Sequence, residues 1–219
     1  MSDQYRYAPY DKDGYGADNG AVGERLAGHF VALVGQLPGI RSICDFGCGT
    51  GYLLGQFLAR GHEVVGVDAS ESGVDVARRI HQTEAKFICS TIDAALAARL
   101  GGARFDAVVS SDVIEHLYSP RQLIACAREV LKPGGYLIVG TPFHGYFKNL
   151  ALSLANRWDR HHESNSEGGH IKFFSEPALR WLLKQEGFVD LRFHFFGRFP
   201  WLWKHMICVA RKGEEARNT

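Results

Sequence analysis

This chain is short of several things, and each shortage excludes a class of protein. No apolar stretch approaches the roughly 20 residues of a membrane-spanning helix. The net charge is only +1, and no run of lysines and arginines supplies a local positive field, so nucleic acid is not an expected partner. The five cysteines, Cys44, Cys48, Cys89, Cys126 and Cys208, contain no CxxC pair and are odd in number. A disulfide framework is therefore disfavoured, and the expectation is buried free thiols in a reducing compartment. The opening segment, "MSDQYRYAPYDKDGYGADNG", is polar and tyrosine-rich with no apolar signal core, so the expected location is cytoplasmic. No internal repeat or low-complexity stretch interrupts the chain.

What is present is globular. With 219 residues, 46% hydrophobic and 22% charged, the chain suits one domain with a sizeable core. Two periods alternate along it. "RSICDF", "HEVVGVD", "AKFICS", "FDAVVSSD" and "GYLIVGT" read as strands. Between them, "GYLLGQFLARG", "SESGVDVARRIHQ" and "SPRQLIACAREVLKPGG" read as helices, with Ser70 and Ser119 as caps, Pro120 at a first helical position and Pro-Gly-Gly as a stop. That alternation predicts a parallel sheet covered by helices on both faces. Beyond Pro142 a helix gives way to a polar stretch, and "SEPALRWLLKQEGF" is a further helix capped by Ser175. The runs "DLRFHFF" and "KHMICVAR" are joined too tightly for a crossover and should pair antiparallel.

The stretch "ICDFGCGTGYLL" carries the chemistry. A strand that ends in glycines and opens a helix presents unpaired amides to a ligand. Gly47, Gly49 and Gly51 are spaced G-x-G-x-G, whereas a dinucleotide fingerprint wants G-x-G-x-x-G and would need glycine where Tyr52 stands. Asp45, just before the loop, suits a cationic ammonium better than a phosphate. Asp68 closes the next strand, about twenty residues on, where a carboxylate is placed to accept from two ribose hydroxyls. The bland alternative is a tight strand-to-helix turn without a ligand.

In order and spacing, "DFGCGTG", "VVGVDAS", "FDAVVSSDVIEHL" and "LKPGGYLIVGTP" resemble the successive motifs of class I S-adenosylmethionine-dependent methyltransferases over about residues 40–142. The later "GGHIKFFSEPALRWLLKQEGF" is similar to a segment of the ubiquinone-biosynthesis O-methyltransferases. The resemblance implies an α/β, three-layer Rossmann-like fold with a seven-stranded, mostly parallel sheet whose last strand is antiparallel. It implies S-adenosylmethionine as cofactor and S-adenosylhomocysteine as product. Asp45, Gly47, Cys48, Gly49 and Gly51 would hold the methionine end; Asp68, Ala69 and Ser70 the ribose end; Ser90, Thr91 and Ile92 the adenine; Ser111 and Asp112 the sulfonium. Many relatives carry an acid where Ser90 stands. Arg25 falls where some relatives place a basic residue for the cofactor carboxylate, although a solvated helix arginine explains it equally well. The implied organisation is 1–40 as N-terminal lid and helix, 41–142 as cofactor-binding core, 143–174 as substrate insert and 175–219 as final helix and hairpin.

Methyl transfer to a hydroxyl needs alignment, exclusion of water and a proton acceptor. His144, directly after the fifth strand, and His170, in "GGHIKFF", are the two candidate bases, since a near-neutral imidazole suits a phenol or catechol. Loop packing is the competing reading for both. His116 in "DVIEHL" is expected to order its loop. The group His161, His162, Glu163 and His170 looks like a metal set, but adjacent histidines diverge and no metal is expected there. Tyr5, Tyr7, Tyr10 and Tyr15 could close over the sulfonium, while Phe143, Tyr146, Phe147 and Trp158 could line an acceptor pocket. "RFPWLW" would either rim that pocket or cover the hairpin with Trp201 and Trp203. In "YFKNLALSLANRW" an apolar stripe runs through Phe147, Leu150, Ala151 and Leu154, with Lys148 and Arg157 outside it. A lid packed on the domain is the preferred reading; a weak membrane-surface contact through 146–158 is the other. The function expected is methylation of a small molecule, at an oxygen of a phenol or similar hydroxyl. The alternatives are an NAD(P)-linked oxidoreductase, which lacks its glycine spacing here, and a catalytically silent cofactor-binding domain.

Overall fold

The computed structural model describes residues 20–82, 84–162 and 169–214. Five strands, β1 (Ser42–Phe46), β2 (Glu63–Asp68), β3 (Lys86–Cys89), β4 (Phe105–Ser111) and β5 (Leu131–Pro142), alternate with helices. The helices in this part are α1 (Gly20–Gly35), α2 (Tyr52–Leu58), α3 (Glu71–His81), α4 (Leu96–Arg99) and α5 (Pro120–Val130). Then come α6 (Tyr146–Leu154), α7 (Trp158–His162), α8 (Glu176–Gln185), β6 (Phe188–Phe196) and β7 (His205–Lys212). The sheet has seven strands in the order β3-β2-β1-β4-β5-β7-β6. β7 runs antiparallel to both neighbours and the remaining pairings are parallel, as expected.

Two apolar layers follow from burying both faces of the sheet. One holds Phe30, Val34, Leu54, Phe57, Val74 and Ala77 from α1, α2 and α3. The other holds Leu96, Leu123, Ile124, Val130, Leu179 and Leu183 from α4, α5 and α8. β1 is buried along nearly its whole length, the signature of a central parallel strand. Local signals agree with these positions. Ser70 Oγ accepts from Gly73 N, Glu71 sits in the first turn of α3 and Arg78, Arg79 and His81 in the last, complementing the helix dipole. Ser175 caps α8 in the same way. Ser119 occupies the cap position of α5 without a side-chain cap bond, leaving Pro120 as the start signal.

Two expectations are corrected. The Pro-Gly-Gly read as a helix stop lies inside β5, where register jumps from Phe105↔Leu131 to Ala107↔Tyr136. The proline and a positive φ at Gly134 suit this bulge because neither needs a regular ladder position. All five cysteines are free, but Cys89, at the end of edge strand β3, is exposed rather than buried. Among the described residues no helix is long and apolar enough to cross a membrane.

Candidate active site

Strand order reverses between β1 and β4, so their carboxyl ends splay apart around a crevice. The tips of β1, β2 and β4 bring the first group of expected residues together there. Gly47, Gly49 and Gly51 have φ of 82°, 50° and 80°, a region that L side chains rarely adopt. Gly47 N and Cys48 N donate to Val67 C=O at 2.8 and 3.1 Å, folding the loop back on β2. A Cβ at Gly47 would collide with Val113 of the loop after β4.

Asp68 builds the loop as well as closing β2. Its Oδ2 accepts from Gly49 N and its Oδ1 from Ser70 N, both at 2.8 Å. Burial raises its pKa, and these amides oppose the rise. Both oxygens keep lone-pair capacity after one bond each. Asp45 is different. It is 2% exposed, and its Oδ1 has no hydrogen-bond partner among the described residues. Desolvation, with the Asp68 charge second, pushes its pKa up to about 8. A buried carboxylate in that state lacks a cation or donor.

The remaining expected positions are mixed. Ser90 N donates to Asp68 C=O, which places the tip of β3 beside that of β2. Ser90 Oγ donates to Thr91 C=O and accepts from Arg99, which also pairs with Asp93. Thr91 is exposed, and Ala69 and Ile92 are half-buried. Ser111 and Asp112 end β4 beside the crevice. Asp112 has φ 51° and lies 3.5 Å from the buried His205 Nδ1. Such backbone strain away from glycine persists where surroundings enforce it. Arg25 is exposed on α1. Tyr5, Tyr7, Tyr10 and Tyr15 lie outside the described residues.

The acceptor-side residues gather at the end of β5. His144 is 5% exposed, its amide donates to Phe174 C=O, and its Nδ1 lies 3.3 Å from Asn149 Oδ1. Its ring packs against Phe173 and His161. His170 stands beside His116, with ring centroids 4.9 Å apart. It is brought there by the backbone, because Ile171 N and Lys172 N both donate to Glu115 C=O. Within the set His161, His162, Glu163 and His170, Glu163 lies outside the described residues. The described cluster is Glu115, His116 and His170.

Several expectations about aromatics change. Phe143 is a core residue, packed on Phe195 and Trp203. Trp203 covers the hairpin by stacking on Phe195, whereas Trp201 is exposed. The apolar stripe of α6 faces outward: Phe147, Leu150 and Leu154 are 55%, 42% and 80% exposed. Lys148 is buried instead, its Nζ donating to Phe143 C=O at 2.6 Å. The expected stripe is thus not packed on the domain; the face of α6 that is covered carries the lysine.

Four residues that sequence reasoning passed over support the site. His81 Nε2 donates to Gly51 C=O at 3.1 Å and pins the loop from α3. Ser110 Oγ donates to Phe46 C=O and joins the β4 and β1 tips. Thr141 Oγ1 donates to buried Glu115 Oε2. His205 meets Asp112. None of these four had a visible signal; Glu115, the partner of Thr141, did, as an acid inside the apolar "DVIEHL".

Comparison with known proteins agrees with this geometry. The chain matches the methyltransferase domain family over residues 19–192. It is 32% identical over 194 residues to the ubiquinone biosynthesis O-methyltransferase of Roseobacter denitrificans, covering 82% of this chain and 74% of that one. A SAM-dependent methyltransferase from Archaeoglobus fulgidus shares the fold with a TM-score of 0.65 at 17% identity, over 86% of this chain and 94% of that one. Magnesium protoporphyrin IX methyltransferase from Synechocystis PCC 6803, solved with bound SAH, does so with a TM-score of 0.64 at 21% identity, over 88% and 83%. The oxidoreductase reading has no support beside these. A tight glycine bend tied to two acids at neighbouring strand tips, on this sheet and with these relatives, makes the chain a member of the S-adenosylmethionine-dependent methyltransferase family.

Proposed function

We propose that the protein transfers a methyl group to an oxygen of a small phenolic or catecholic acceptor, with His144 as the proton acceptor. One observation carries the reading: a buried imidazole at the tip of β5 is held through Nδ1 by Asn149. An Nδ1–H bonded to Asn149 Oδ1 leaves the lone pair on Nε2, the tautomer a general base needs. Relatives named as ubiquinone biosynthesis O-methyltransferases support an oxygen acceptor.

The cofactor fits the residues present. Asp45 Oδ1, buried without a partner among the described residues, suits the ammonium of the methionine end, and the bare glycine backbone admits close approach. Gly47, Cys48, Gly49 and Gly51 would line that end. Asp68, with Ala69 and Ser70, would take the ribose hydroxyls through its spare lone pairs. Because Ser90 Oγ is engaged by Arg99, the adenine contact falls to Thr91 and Ile92. Ser111 and Asp112 would border the sulfonium. Bound S-adenosylmethionine supplies a methyl group already activated for in-line displacement. The chain aligns the acceptor, excludes water and removes its proton. On this reading 1–40 covers the cofactor, 41–142 holds it, 143–174 shapes the acceptor side and 175–219 completes the sheet.

A panel of catechols, phenols and amines, assayed for S-adenosylhomocysteine production, tests the acceptor. Oxygen methylation that falls about 10²–10⁴-fold in His144→Ala, with cofactor affinity unchanged, is expected. Turnover of amines alone would refute it. The exposed stripe of α6 also favours a weak membrane-surface contact through 146–158. Tyr146 packs on Phe147 and Phe147 on Trp201, forming an apolar ridge suited to an interface. Phe147→Glu should abolish co-sedimentation with phospholipid vesicles; equal sedimentation of both proteins would end this part.

A further inference from the structure

We propose that His205 is a positioning residue for the methyl donor: it holds the Asp112 carboxylate at the tip of β4 so that the second oxygen of that carboxylate faces the sulfonium. The inference rests on the placement of Asp112 beside the sulfonium given above, and the acceptor atom does not enter it.

The surroundings of His205 call for a ring but not for its nitrogens. The residue is 7% exposed, and neither ring nitrogen has a hydrogen-bond partner among the described residues. Phe196 lies flat against the imidazole, with centroids 5.5 Å apart and planes 11° from parallel, and Phe196 in turn meets His29 of α1 at 4.1 Å. An apolar ring would pack as well there, without the cost of burying unsatisfied polar atoms. Such atoms in a folded core need an explanation.

Asp112 supplies one. His205 Nδ1 stands 3.5 Å from Asp112 Oδ1, within ion-pair range and slightly long for a hydrogen bond. That oxygen is itself buried and accepts no hydrogen bond among the described residues. Each atom therefore offers what the other lacks, and a small rotation of either side chain closes the bond. The pair is uneven in exposure: the Asp112 side chain keeps 34% of its surface open, against 9% for His205. With Oδ1 turned inward to the ring, the second oxygen is the one left to face the crevice.

Sheet register brings the two residues together. His205 opens β7 opposite Pro142 of β5 and Phe196 of β6. Asp112 N donates to Gly140 C=O at 3.1 Å, two residues before Pro142 on the same strand. Since β4 and β7 flank β5, Asp112 reaches that strand from one side and His205 from the other. The φ of 51° at Asp112 turns the chain at this point, in a conformation that aspartate tolerates better than most side chains.

Electrostatics give the arrangement a signature. S-adenosylmethionine carries a positive sulfur and S-adenosylhomocysteine a neutral one, while the methionine end, ribose and adenine are common to both. A carboxylate fixed beside the sulfur discriminates between the two, and one that has lost its holder discriminates less. A packing defect at His205 would weaken both ligands alike.

The test is calorimetry of the full chain with each of the two compounds. Asp112→Asn should weaken S-adenosylmethionine about tenfold and leave S-adenosylhomocysteine within about twofold, and His205→Phe should do nearly the same. The double variant should lose no more than Asp112→Asn alone, because His205 acts through Asp112. His205→Asn, whose amide can donate from the place of Nδ1, should restore the parent's ratio of affinities. His205→Gln, whose amide stands at the place of Nε2, should not. Circular dichroism and S-adenosylhomocysteine affinity report folding; should His205→Phe misfold, the Asn and Gln variants decide, and equal ratios in those two would overturn the proposal. Additive losses in the double variant, or equal loss of both ligands in His205→Phe, would overturn it as well. A shifted ratio in Asp112→Asn with none in His205→Phe would remove the role of His205 and leave Asp112 at the sulfonium. An unshifted ratio in Asp112→Asn would remove both.

Discussion

An ammonium facing Asp45 would tie cofactor binding to pH. The folded-state pKa of Asp45, raised from 3.8 to about 8 chiefly by burial, means that the carboxyl is protonated at neutral pH when no cation faces it. That displacement of about four units corresponds to roughly 6 kcal/mol disfavouring the charged form, at 1.36 kcal/mol per unit. If the ammonium of S-adenosylhomocysteine pairs with Asp45, binding must expel that proton. Affinity then rises about tenfold per pH unit well below pH 8 and levels off near it, so roughly 50-fold from pH 6 to pH 8. Calorimetry in two buffers of different ionisation heat should show close to one proton released per ligand at pH 6.5. Asp45→Asn should abolish both the release and the slope. The sign for stability is opposite to that of an ordinary salt-bridged acid. Between pH 3.8 and 8 the ligand-free folded state binds the extra proton, so stability declines as pH rises through that window. The thermal shift caused by the ligand should accordingly be larger at pH 8 than at pH 6. A pH-independent affinity with no proton release would show that Asp45 does not meet the ammonium.

Two further outcomes follow from the same geometry. Gly47→Ala, at φ 82° and against Val113, should cost about 1–3 kcal/mol of strain and remove S-adenosylhomocysteine binding in calorimetry while circular dichroism stays native; binding within twofold of the parent would contradict the loop geometry. At the other end of the sheet, Asp106 would be raised by burial, but bonds from Lys132 Nζ, Ser42 and Arg41 outweigh that and hold it well below the usual carboxylate range. It therefore contributes stability that is present above pH 3.8 and lost as pH falls further. Asp106→Asn should lower unfolding free energy by about 1–3 kcal/mol at pH 7 in urea titrations, and by progressively less as the medium is acidified below that.

Residues whose roles are local were legible in the chain. Ser70 and Ser175 cap helices because their side chains reach amides three positions on, and Gly47, Gly49 and Gly51 mark a bend because only they tolerate its dihedrals. Lys148 shows where periodicity stops helping. The pattern of α6 correctly grouped Phe147, Leu150 and Leu154 on one face, but grouping does not say which face is covered. The Phe143 carbonyl, five residues back, and the Lys204 carbonyl, brought in from the remote end of the hairpin, both accept from Lys148, so the lysine side of the helix is the covered one.

The sequence by itself determined the alternation of strands and helices, the antiparallel finish and the glycine bend with its two acids, because each depends on short-range sterics or on a fixed repeat of apolar residues. Tertiary structure alone decided that Asp45 has a carboxylate oxygen without a partner among the described residues, that His81 pins the loop and that Glu115, His116 and His170 share one place. Those facts depend on which carbonyls and amides meet after the sheet closes. A chain's local preferences carry no information about a partner that arrives from a remote strand.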